Sequence, residues 1–244
     1  MKRNSVERWL FATLILGGFV CSLATLPARA DDWSKTYTLT GKPDLRVETS
    51  DANIRVSTWD QSTIEAKVTT TRYKIDDDGI RIDEHQSGDT VEINVRYPHH
   101  GVVINWGNYG SHRVEIDIHI PREGRVDLHT GDGKIELANF KGEMQLRSGD
   151  GSQEIESVDA HAAGGSAIAS SWRLESGDGT VTLEVPENLA ADVDMHTGDG
   201  HIDLDMPITT TGKIRENEVR GKINGGGNLL VIHTGDGSIR LRKG

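Results

Sequence analysis

Apolar and polar residues alternate along most of this chain. In Val126-Asp-Leu-His-Thr-Gly-Asp-Gly-Lys-Ile-Glu-Leu137 every second side chain is apolar on both sides of a Gly-Asp-Gly step. Period-two patterning of this kind predicts two strands, each with one buried face. The phrase recurs at Met144 to Ile155, Trp172 to Leu183, Val193 to Leu204 and Leu230 to Leu241. A looser copy runs from Leu45 to Val56, with Ser50-Asp51-Ala52 at the step, and a degenerate one from Val158 to Ala169 around Gly164-Gly165. Gly-Asp-Gly predicts a tight turn in which glycine can take positive φ. Thr130, Ser148, Ser176, Thr197 and Thr234 share the inward parity with Leu128, Leu146, Leu174, Met195 and Ile232. A small hydroxyl there bonds a neighbouring backbone group or joins a Thr/Ser ladder. Gln153 stands where other copies place Ile135, Val181, Ile202 and Ile239. Either that copy is frayed or the amide has a partner.

The middle aspartates, Asp132, Asp150, Asp178, Asp199 and Asp236, are 18, 28, 21 and 37 residues apart. The spacing predicts an all-β fold, a β-solenoid (single-stranded β-helix) of irregular repeats. Asn139 to Gly142 and Pro186 to Leu189 are its far-side turns. The alternative is an antiparallel β-meander or sandwich of hairpins, which has the same side-chain parity. A 5% aromatic content favours the solenoid, whose narrow core takes stacked aliphatic rows. Both architectures gather the five aspartates along one edge. Residues 31–122 carry looser alternating runs at Ile64 to Val68, Ile80 to Ile82, Val91 to Val95 and Val114 to Ile120, the last closed by Pro121. They are expected to start the stack that residues 123–244 continue, as one domain. Tyr97 to His112 breaks the pattern as a surface loop, and Lys213 to Gly221 reads as a helix turn or a loop.

Residues 1–30 read as an export signal. Lys2, Arg3 and Arg8 lead an apolar run to about Leu26, and Ala28-Arg29-Ala30 is the cleavage pattern. The run is interrupted by Thr13, two glycines and Ser22, which disfavours a membrane anchor. Phe19-Val20 before Cys21 do not make a lipid-attachment site. Cleavage takes four bases from 27 and one acid from 38, so the remaining chain has a formal charge of −14. The formal charge of the whole chain, −11, argues against a nucleic-acid binder, which needs basic residues to neutralise phosphates. Cys21 leaves with the signal, so disulfides, thiol nucleophiles and thiolate metal sites are excluded. No second long apolar segment follows, so no membrane span is expected after cleavage. The expected location is the periplasm, the cell surface or the exterior.

The order of features resembles the bacterial putative-adhesin family of unknown function. It comprises an export signal, Lys42-Pro-Asp-Leu-Arg-Val-Glu-Thr49, Val56-Ser-Thr-Trp-Asp60, Ile118-His-Ile-Pro121 and the repeated turns. The resemblance covers about residues 40–244 and implies a β-helical, envelope-associated protein; it brings no catalytic residues. Relatives show Gly-Ser-Gly-Asp at the turn, one position away from the acid here, so no ligand role for that acid is inherited.

The aspartate row is the sharpest chemical feature. Strands stack at about 4.8 Å, where unit like charges repel by roughly 1 kcal/mol even in bulk water. Solvent, or Lys134, Arg147 and Arg240, would offset this; a Ca²⁺ ion bridging carboxylates is the rarer solution, and simple turn preference for Asp is the commoner reading. His129, His196 and His233 share the outward place before the hydroxyl, but Arg147 and Glu175 interrupt them. Trp106 and Tyr109, with His99, His100 and His112, give the loop groups that stack on sugar rings or cap the stack. No Ser-His-Asp order, phosphate loop or cofactor fingerprint appears, and no cofactor is expected. Evenly repeated acids suit contact with an envelope polysaccharide or surface protein better than a reaction centre. The expected function is therefore a non-enzymatic scaffold, with a polysaccharide lyase or hydrolase as the alternative.

Overall fold

The structure is a computed structural model and describes residues 30–71, 73–98, 113–156, 166–168, 170–210 and 215–244. The predicted leader with Cys21, the cluster His99, His100 and His112, and most of Val158 to Ala169 lie outside them. All regular structure among the described residues is β, in two mixed sheets.

Seven strands precede the full repeats: β1 (Ala30–Thr38), β2 (Asp44–Thr49), β3 (Asn53–Trp59), β4 (Thr63–Thr71), β5 (Arg81–Ser87), β6 (Thr90–Arg96) and β7 (Arg113–Pro121). The next five are β8 (Glu123–Thr130), β9 (Ile135–Ala138), β10 (Lys141–Ser148), β11 (Gln153–Glu156) and the short β12 (Ser166–Ala167). Then come β13 (Trp172–Ser176), β14 (Val181–Val185), β15 (Leu189–Thr197) and β16 (Ile202–Leu204). The last four are β17 (Ile208–Thr210), β18 (Glu218–Ile223), β19 (Leu229–Thr234) and β20 (Ile239–Lys243).

The two strands of one copy lie in different sheets. The first sheet runs β1-β4-β7-β3-β9-β11-β14-β20-β16, and the second β17-β18-β15-β19-β13-β10-β8-β2-β6-β5. Copies pair with copies, in parallel and residue for equivalent residue: Thr49 with Thr130, Thr130 with Ser148, Ser148 with Ser176, Ser176 with Thr234 and Thr234 with Thr197. The alternative, an antiparallel meander of Gly-Asp-Gly hairpins, is not what this register shows. The step carries the chain from one sheet to the other, and none of its glycines has positive φ; that conformation falls to Asn139, Asn224, Gly88, Gly142, Gly225 and Gly226.

The copies do not stack in chain order. The last copy, β19 and β20, lies between β13–β14 and β15–β16, so of the full copies the one from Val193 to Leu204, not the last in sequence, is the outermost in space. Antiparallel strands close most of the stack's ends. At one end β4 and β1 cover β7, and β5 covers β6. At the other, β18 and then β17 cover β15, and β16 is left as an edge. Lys213 to Gly221 is corrected in part, because Glu218–Ile223 is strand rather than helix turn or loop; Lys213 lies outside the described residues.

Between the sheets the inward side chains form continuous rows. Val47, Leu128, Leu146, Leu174, Ile232 and Met195 make one, all buried. In the other sheet Val56, Leu137, Ile155, Leu183 and Leu241 are buried, and the row ends in the half-buried Leu204 at the bare edge. Burial of this kind supplies most of the stability, about 1.5–3 kcal/mol per large aliphatic side chain. Trp172 is buried too, and its indole N–H donates to the Gly142 carbonyl at 2.9 Å. The far-side turn at Asn139 and Phe140 uses the positive φ of Asn139 (56°) and buries Phe140.

Candidate functional site

Backbone hydrogen bonds hold the stacked turns in register. The amide of Asp132 donates to Ser50 at 2.9 Å, that of Gly149 to Gly131 at 2.6 Å and that of Gly177 to Gly149 at 2.7 Å. Gly235 then donates to Gly177, and Gly198 to Gly235, each at 2.6 Å. The second glycine of each step faces the turn beneath it at close range. A Cβ on Gly133 or Gly151 would lie 1.8 Å from the carbonyl oxygen of Ala52 or Gly133, and one on Gly237 or Gly200 would lie 2.0 Å from the next. Glycine is needed here for close approach of backbones.

The buried hydroxyls finish the turns. Thr130 Oγ1 donates to the Ala52 carbonyl at 2.9 Å and accepts from its own Gly133 N–H at 3.2 Å. Ser176 bridges Gly151 and Gly179, and Thr197 bridges Gly237 and Gly200, in the same way. The third copy is the exception. There Ser148 donates to the carbonyl of its own Gly151 at 2.5 Å. Gln153, in the same copy, donates from Nε2 to Ser148 Oγ at 3.2 Å and to the Glu175 carbonyl at 2.6 Å. The amide nitrogen thus has partners and the copy is not frayed, but Gln153 Oε1 is buried without one.

This scaffold sets Asp132, Asp150, Asp178, Asp236 and Asp199, in that spatial order, along one edge; all five are exposed. Asp51 of the loose first copy continues the row, which sequence analysis missed although its register with Asp132 was readable from the flanking alternation. None of the five carboxylates makes an ion pair or a side-chain hydrogen bond with a described residue. Two of the bases expected to offset them are engaged elsewhere. Lys134 pairs with Glu136 and Glu154, and Arg147 with Glu175 at 3.3 Å and Asp127 at 3.6 Å. The carbonyls of Gly131, Gly149, Gly177 and Gly235 point along the stack to the next turn's amides. Among the described residues no group of three or more His, Cys, Asp or Glu is placed to hold a metal. Trp106 and Tyr109 lie outside the described residues.

Beside the first turn a groove of about 830 Å³ opens, lined by Ser50, Asn94, Arg96, Tyr97 and His129 among others. Tyr97 meets Tyr73 edge-on at 5.7 Å. Burial, then the Asp51 carboxylate, pushes the Tyr97 phenol well above its usual range. A second groove of about 370 Å³ on the same sheet is lined by Arg46, Glu48, Glu92, Asp127, His129 and Arg147. Its charges are paired, Arg46 with Asp44 and Glu92 at 3.1 Å each. The other sheet is similar: Lys134 and Arg55 hold the Glu136 carboxyl below its ordinary range.

Strand register also assembles a constellation absent from the linear order. Ser238 Oγ lies 3.0 Å from His201 Nδ1, and His201 Nε2 lies 3.3 Å from Asp203. His201 and Asp203 are each 60% exposed at the bare edge formed by β16, where solvent screens them. Ser57 Oγ lies 2.7 Å from His119 Nδ1, and Trp59 stacks on that ring at 5.2 Å.

Residues 122–242 match the family described as Toastrack DUF4097. No curated protein matches the chain. Among solved structures, a putative cell adhesion protein from Clostridium sporogenes is 15% identical, aligns over 88% of this chain and 100% of its own, and has a TM-score of 0.62. Putative adhesins from Bacteroides fragilis and Parabacteroides merdae are 10% and 9% identical and have TM-scores of 0.32 and 0.33. Each covers 86% of this chain and 96% of its own.

Proposed function

We propose, for a chain that carries a Toastrack domain over residues 122–242, that it is an exported, non-enzymatic envelope scaffold of the β-solenoid type. Its acid row and first-turn groove contact a surface polysaccharide or protein. The observation that carries this reading is the row itself: equivalent, exposed aspartates without an ion pair to any described residue are repeated on a backbone-bonded edge. Repetition at strand spacing gives many weak, equivalent contacts, which add through effective concentration rather than through one deep pocket. The fold neighbour from Clostridium sporogenes, described as a putative cell adhesion protein, is consistent with this kind of role. Residues 31–122 belong to the same scaffold, and Trp106 and Tyr109 are the loop residues we assign to sugar or cap contact. The predicted leader supports a location in the periplasm, at the cell surface or outside the cell.

Binding of the purified protein to envelope polysaccharide and to whole cells tests the proposal. Retention that falls stepwise as Asp132, Asp178 and Asp236 are changed to Asn supports it. Retention unchanged by all three removes the acid row from function. The alternative, an enzyme, has one observation in its favour, the Ser238-His201-Asp203 chain. Hydrolysis of a glycan or ester that is lost in Ser238→Ala would establish it.

A further inference from the structure

The outer face of the second sheet carries a pair of imidazoles that the acid row does not use. His196 on β15 and His233 on β19 stand directly opposite in parallel register. Their ring centroids are 6.2 Å apart and their planes are at 89°. Neither ring makes a hydrogen bond or an ion pair with a described residue. The carboxylates on either side are already engaged. Glu175, opposite His233, is held by Arg147 and Arg173, and Glu218, opposite His196, by Arg215 and Arg220. His129, in the same outward place, has Arg147 and Glu48 as its cross-strand neighbours and no second imidazole.

We propose that His196 and His233 together bind a divalent transition cation of borderline softness, such as Cu²⁺, Ni²⁺ or Zn²⁺. One nitrogen of each ring coordinates, and water fills the other positions. Neutral imidazole suits these ions, and Ca²⁺ prefers several oxygen ligands. The two Cα positions are fixed by the parallel ladder. The torsion that aims an imidazole ring is soft, so a small rotation of each ring brings two nitrogens onto one ion. With two protein ligands the affinity is modest and follows the order Cu²⁺ above Ni²⁺ and Zn²⁺. The consequence is mechanical: the ion clips β15 to β19, the seam where the last copy sits beside the outermost one. An ion that binds the folded pair and not the unfolded chain raises stability by mass action. This site does not depend on what the acid row contacts.

Thermal unfolding with added Ni²⁺ or Cu²⁺ is the test. At about 100 times the dissociation constant the midpoint should rise by roughly 5 °C or more and return to its starting value with chelator. His196→Gln and His233→Gln should each abolish the rise, His129→Gln should keep it, and Ca²⁺ should give none. The Cu²⁺ spin-resonance spectrum should report two coordinated nitrogens in the parent protein and fewer in either variant. A rise that survives in both single variants, or no rise at millimolar Cu²⁺, overturns the proposal.

Discussion

The first copy and the later copies of the repeat solve the same corner differently. Gly133, Gly151, Gly179, Gly237 and Gly200 each lie against the turn beneath, where a Cβ would meet a carbonyl oxygen at 1.8–2.1 Å. Ala52, at the same place in the first copy, carries its Cβ and is fully buried. Its neighbour on that side is β6, which leads into the segment from Tyr97 to His112 and has no Gly-Asp-Gly step. Glycine is therefore demanded by a turn lying on a turn, and the demand ends where the stacked steps end.

The largest effect should come from Gly179→Ala in mid-stack, because the new methyl meets backbone that can move only by breaking the ladder. A loss of about 3 kcal/mol or failure to fold is expected by denaturant titration, against under about 1 kcal/mol for Ala52→Gly. Equal losses at the two positions would erase the distinction. Next in size, Leu183→Ala should cost about 2–5 kcal/mol and Leu204→Ala clearly less, because Leu204 ends the same row half-exposed. Thr197→Val removes a hydroxyl that serves two backbone groups, so a loss of about 1–2 kcal/mol is expected.

Acid should act more gently. The carboxyls of Glu136, Glu123, Asp60 and Asp89 all lie below their ordinary range, through Lys134, Lys42, Arg122 and the Thr40 backbone amide respectively. A depressed carboxyl contributes stability that is fully present above its unfolded value, 4.5 for Glu and 3.8 for Asp, and is lost as pH falls through the folded value. The midpoint should hold from neutrality to about pH 5 and fall below pH 4. The smallest effect is expected at the edge: Asp178→Asn relieves repulsion from its neighbours, so the midpoint rises slightly at low salt and not at high salt.

Much of this organisation was legible in the chain. Alternation around Gly-Asp-Gly gave the strands, the inward hydroxyls and the aspartate edge, because side-chain parity survives whichever way the strands pair. Two things were not legible. Parity is silent on whether Thr130 and Ile135 face each other in a hairpin or from two sheets, so the hairpin meander stayed open as the alternative. Nothing near Val193 or Leu230 says that the later copy inserts beside Trp172, since both copies present the same inward residues to a neighbour. Pairs such as Ser238 with His201, and His196 with His233, needed that register before they could be seen.

The displaced position of the last copy has a consequence for how the molecule comes together. Residues 193–204 leave the ribosome before residues 230–241, yet their permanent neighbour is the later segment. Until it arrives, the strand beginning at Val193 can lie on Trp172 to Ser176 in the alignment that Leu230 to Thr234 will finally take. Any strand lying there has to leave before Leu230 to Thr234 can pair with Trp172 to Ser176, so closure of this seam waits on residues 230–241.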